Sequence, residues 1–109
     1  DINAQVDWGY AGDYVKAMVK MLGQNKPNDF VIASGERVKL KDFISIVFDY
    51  LDLDWKEFVR ESPELLTRNT ANSLCGNPGK LMDQTGWKPT VSLEELARLM
   101  VDYELMRVE

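Results

Sequence analysis

The stretch VDWGYAGDYVKAM, Val6 to Met18, sets glycines at 9 and 12 directly ahead of a helical pattern. Backbone amides bared by such glycines at a helix N-terminus can cradle a phosphate. The flanks argue against that chemistry: Asp7 and Asp13 would bring two carboxylates beside the anion, no apolar strand precedes the glycines, and no Lys-Ser/Thr pair follows them. A tight turn into a helix is the expectation. The acids Asp49, Asp52 and Asp54 of DYLDLD lack the glycine and spacing of a calcium loop and fit a solvated helix end. Cys75, between Leu74 and Gly76 with no basic neighbour, reads as a small buried apolar residue rather than a nucleophile. Arg68 is the cation of interest. It stands in a polar loop with Asn69 and Asn72, where a guanidinium either faces solvent or grips a diphosphate through two parallel N–H bonds. Trp8, Trp55 and Trp87 are scattered singly and read as core anchors.

The elements that must position these residues follow from periodicity and punctuation. Tyr14, Val15, Met18, Met21 and Leu22 recur at helical spacing, which predicts a helix over Asp13 to Leu22 stopped by Gly23 and Pro27. DFVIAS, Asp29 to Ser34, reads as a short buried strand closed by Gly35. A second helix is predicted from Leu40 to Leu53, with Phe43, Ile46, Val47, Tyr50 and Leu51 as one stripe and Ile44 and Phe48 widening it, so that it is covered on more than one side. WKEFVRES fits a helical turn or a strand, and a strand at Phe58 to Glu61 is preferred. LTRNTANS, Leu66 to Ser73, is an exposed loop, with a short strand at Ser73 to Cys75 after it. Asn77 as N-cap, Pro78 in the first turn and Gly86 past the end predict a helix over Pro78 to Thr85. Ser92 and Glu95 form a capping box and Val91 with Leu96 a hydrophobic staple, so a last helix starts at Leu93 with Leu96, Leu99, Met100, Tyr103 and Met106 as its stripe. Four helices and about three short strands make a small α/β chain.

Totals restrict the function. The 109 residues are 45% hydrophobic and 28% charged, the balance of one folded domain. A net charge of -5 argues against a nucleic-acid partner, since phosphate-backbone affinity needs clustered Lys and Arg. No run of about 18 apolar residues suggests a membrane span. The single cysteine fits a reducing compartment, and cytoplasm is the expectation. Histidine is absent, which removes the commonest general base and most zinc sites. The chain opens on Asp1 rather than Met, as a part of something longer would.

The run DWGYAGDYVKAM, followed by DFVIASGE and a KDF helix, resembles the C-terminal portion of GDP-mannose 4,6-dehydratases, in the extended short-chain dehydrogenase/reductase group. The tail GNPGKLMDQTGWKPTVSLEELARLMVDYEL continues the likeness through a Gly-Asn-Pro-x-Lys turn and a Gly-Trp-Lys-Pro corner, so that nearly all 109 residues are covered. The resemblance implies one domain over 1–109, the sugar-nucleotide-binding part, with the Rossmann part absent. It implies conversion of GDP-mannose to GDP-4-keto-6-deoxymannose, NADP held by the Rossmann part, and a homo-oligomer of the full-length enzyme. In this family a basic residue just before Asp-Trp reaches the diphosphate; here that position is Val6, and an isopropyl group cannot neutralise phosphate charge. Arg68 is the counterpart of the family's arginine in Arg-Pro-x-Glu, one residue off the usual spacing from Gly76, and is carried over as the substrate-binding residue. No catalytic, cofactor or metal residue is carried over, because no Tyr here has a Lys four residues on. The alternatives are a sibling nucleotide-sugar reductase or epimerase, which shares the Gly-Trp-Lys-Pro tail, and a non-catalytic binding remnant.

Overall fold

The computed structural model of the chain describes residues 1–66 and 74–108. It begins with a turn in which the Asp1 carboxylate accepts the Asn3 N–H at 2.8 Å. Strand β1, Gln5–Asp7, follows and pairs antiparallel with β2, Arg37–Lys39, in the register Gln5 to Lys39, Val6 to Val38 and Asp7 to Arg37. A strand therefore does precede the glycines, though not an apolar one, in keeping with the sequence reading. It is only three residues long and its central side chain, Val6, is 40% exposed, so no apolar run announces it.

Helix α1, Ala11–Leu22, starts two residues earlier than its periodicity suggests and ends at Gly23. Ala17 on α1, Leu81 and Trp87 form the main core, with Tyr14, Met21, Phe30, Ile32 and Met82 packed around it. Helix α2, Leu40–Tyr50, continues directly from β2 and stops short of the expected Leu53. Asp52 takes a left-handed conformation, φ 58°, and the Leu53 N–H returns to the Phe48 carbonyl at 2.9 Å, which closes the helix end. No residue of α2 is fully buried, but residues 43–48 are all partly covered, so the helix is in contact on more than one side, as expected.

The two strands expected beyond this point dissolve into other local chemistry. At 55–57 a 3-10 turn forms because the Asp54 carboxylate caps the Lys56 N–H at 3.1 Å; Val59 then bonds back to Trp55, and Phe58 stacks on Phe48 at 5.8 Å. A second 3-10 turn spans Pro63–Leu65. Residues 29–34 join no ladder, and neither do Leu74 and Cys75; Ser73 lies outside the described residues. The Ser34 amide goes to Asp7, as described below.

Helix α3, Gly79–Thr85, has Pro78 as its N-cap residue rather than its first helical one, with the Asn77 side chain accepting the Gly79 N–H at 2.9 Å. Gly86 ends it at φ 73°, in the left-handed region the sequence called for. Helix α4, Leu93–Arg107, starts where predicted, and Ser92 Oγ accepts the Glu95 N–H at 3.2 Å. It lies on α2, where Ala97 is fully buried and the Tyr50 hydroxyl donates to Asp102 at 2.7 Å.

The described residues thus hold four α-helices and one two-stranded sheet in a flat body of 53 × 37 × 18 Å. Its accessible surface is 8379 Å². A compact monomer of this mass exposes about 6,200 Å². Much of the difference is apolar: Val15, Met18, Val19 and Leu22 on α1, and Leu99, Met100, Tyr103 and Met106 on α4, are all at least half exposed.

Candidate functional site

Asp7, at the end of β1, gathers three backbone amides. Its carboxylate accepts the N–H of Ser34 at 2.9 Å, of Gly35 at 3.0 Å and of Gly76 at 3.3 Å. Ser34 is the last residue of the strand expected over 29–34, and Gly76 directly follows the one expected over 73–75. The cluster is an anion nest with its anion built in. Burial pushes the Asp7 carboxyl up, but the hydrogen bonds of Ser34, Gly35 and Gly76 outweigh it and hold the group below its ordinary 3.8.

Asp13, in the first turn of α1, performs the matching task on the other side of the glycines. It is 1% exposed, and its carboxylate accepts the Thr90 N–H at 2.9 Å, the Thr90 hydroxyl at 2.6 Å and the Val91 N–H at 3.1 Å. Its carbonyl takes the indole N–H of the buried Trp87 at 2.9 Å. Desolvation raises the carboxyl, and Thr90, Val91 and the nearby Lys16 charge more than offset it, so Asp13 also titrates below 3.8. Burial between these two carboxylates pushes the Tyr14 phenol up, with the charges of Asp7 and Asp13 adding to the shift.

The glycines serve close packing rather than anion binding. A Cβ on Gly9 would meet the Tyr14 ring, and one on Gly12 the Tyr10 ring. The turn reading of VDWGYAGDY therefore holds, and the two acids that argued against phosphate prove to be the residues that tie this entry to the rest of the chain.

Of the other candidates, Arg68 lies outside the described residues. Val6 sits on β1 beside Asp7, on the sheet pair with Val38. Cys75 is a free, exposed thiol rather than a buried one, because its neighbour Gly76 is drawn to Asp7; its Sγ lies 3.8 Å from Asp7 Oδ2. Asp49, Asp52 and Asp54 are exposed at the end of α2, and among the described residues no group of three His, Cys, Asp or Glu side chains could hold a metal. Trp87 and Trp8 behave as anchors, the latter stacked on Phe43 at 4.7 Å with its indole N–H on the Val38 carbonyl. No helix among the described residues is long and apolar enough to cross a membrane.

An open cleft of about 790 Å³ separates residues 34–38 from 86–95. Trp8, Val38 and Ile46 line it, together with Glu36, Lys88, Glu94 and Glu95. Three carboxylates to one ammonium among these residues disfavour a diphosphate.

The fold has counterparts among solved enzymes. It matches UDP-glucose 4-epimerase of Thermotoga maritima, a structure with UDP-glucose, at a TM-score of 0.81 and 25% identity, covering 100% of this chain and 34% of that one. It also matches RMD of Pseudomonas aeruginosa, a structure with NADPH, at a TM-score of 0.76 and 21% identity, covering 90% of this chain and 32% of that one. The architecture is thus a small α/β portion of the extended short-chain dehydrogenase/reductase fold, without its Rossmann part. Within that class, residues 1–100 match the GDP-mannose 4,6 dehydratase family, and the chain belongs to it. GDP-mannose 4,6 dehydratase 1 of Arabidopsis thaliana is 41% identical over 105 residues, 96% of this chain and 29% of that protein. The Homo sapiens GDP-mannose 4,6 dehydratase is 33% identical, over 98% of this chain and 34% of that protein. The chain therefore spans about a third of the length of the curated relatives it matches.

Proposed function

We propose that residues 1–109 are the C-terminal sugar-nucleotide-binding domain of a GDP-mannose 4,6-dehydratase, a lyase that converts GDP-mannose to GDP-4-keto-6-deoxymannose. The observation that carries this reading is the dehydratase likeness across 96% of the chain at 41% identity. The open, apolar surface of the flat body supports it, since such faces suit a part covered by the rest of an enzyme.

In this reading hydride transfer and its NADP belong to the Rossmann part, where the cofactor supplies redox chemistry at the sugar. The present chain contributes a wall of the substrate cleft. Asp7 and Asp13 hold that wall in shape by taking five backbone amides from three distant segments. Arg68 is the residue we assign to the diphosphate, by its place in the family motif. The full-length enzyme works as a homo-oligomer in the cytosol, where a free, exposed Cys75 suits a reducing environment.

Calorimetric titration of GDP into the full-length polypeptide tests the assignment. Loss of a charge-assisted bidentate contact, by Arg68→Ala, weakens binding roughly 10- to 100-fold. Arg68→Lys recovers part of it, because a point charge replaces the fork. Unchanged affinity in Arg68→Ala would remove Arg68 from the site.

A further inference from the structure

We draw no further inference here: the strongest candidate, the open cleft of about 790 Å³ between residues 34–38 and 86–95, carries exposed Glu36, Lys88, Glu94 and Glu95 beside an apolar lining, and nothing in the structure shows what fills or covers it.

Discussion

Asp13 is a carboxylate removed from water and held ionised by three hydrogen bonds, two from backbone amides and one from a hydroxyl. Its folded-state pKa lies below 3.8, so its contribution to stability is full above that value and is lost as the pH falls through the lower, folded one. Asp7 acts in the same direction. We therefore expect the denaturant midpoint to stay level from neutral pH down to about 5 and to drop below about pH 4. Asp13→Asn destabilises by about 2 kcal/mol at pH 7, because an amide nitrogen must face donors it cannot satisfy, and the acid-side slope becomes shallower. A variant with the wild-type midpoint at pH 7 would show that the Thr90 and Val91 amides need no anion. None of this was legible from spacing. The partners of Asp7 lie 27 to 69 residues away and those of Asp13 77 to 78, and no local pattern records such distances.

At the scale of elements, the punctuation that acts within one turn was legible and the pairing between segments was not. The Ser92 cap and the left-handed Gly86 stand where the sequence put them, because each satisfies groups three or four residues away. Ser92→Ala should cost about 1 kcal/mol, measured by chemical denaturation, with Ser92→Asp close to neutral. Gly86→Ala should cost about 1 kcal/mol as well. A Cβ at that position meets nothing within 4 Å, so the penalty is conformational alone, and Gly86→Asn should recover part of it. Strands at 29–34 and 58–61 failed for a different reason. β-propensity describes a residue that fits a pleated surface, and here the Ser34 amide at the end of the first segment is taken by Asp7 while Asp54 turns the chain at 55–57. The strands that do form, β1 and β2, are three residues each and carry charged or polar ends, so neither shows a periodic signal.

Taken whole, the molecule leaves more surface open than a compact domain of its length. Its radius of gyration is 16.8 Å. A compact domain of this length has about 13 Å. Apolar stripes that looked like core in the sequence, Val15, Met18 and Leu22 on α1 and Leu99 to Met106 on α4, are the ones left open. Periodicity tells that a face is to be covered; it does not tell by what. The family likeness was legible because it is carried by local turns and caps, DWGYAGDY and GWKP with SLEE, which keep their spacing independently of distant contacts. Val6→Arg, at the middle of β1, should place a basic side chain where the resemblance implies one and tighten GDP binding about tenfold in a calorimetric titration, the effect of one added charge-assisted contact. The central claim is tested most directly by incubating the full-length, NADP-loaded polypeptide with GDP-mannose and following the sugar nucleotide by mass spectrometry. Loss of one water, with a 4-keto-6-deoxy sugar as product, is the predicted result; GDP-mannose that persists unchanged would contradict it.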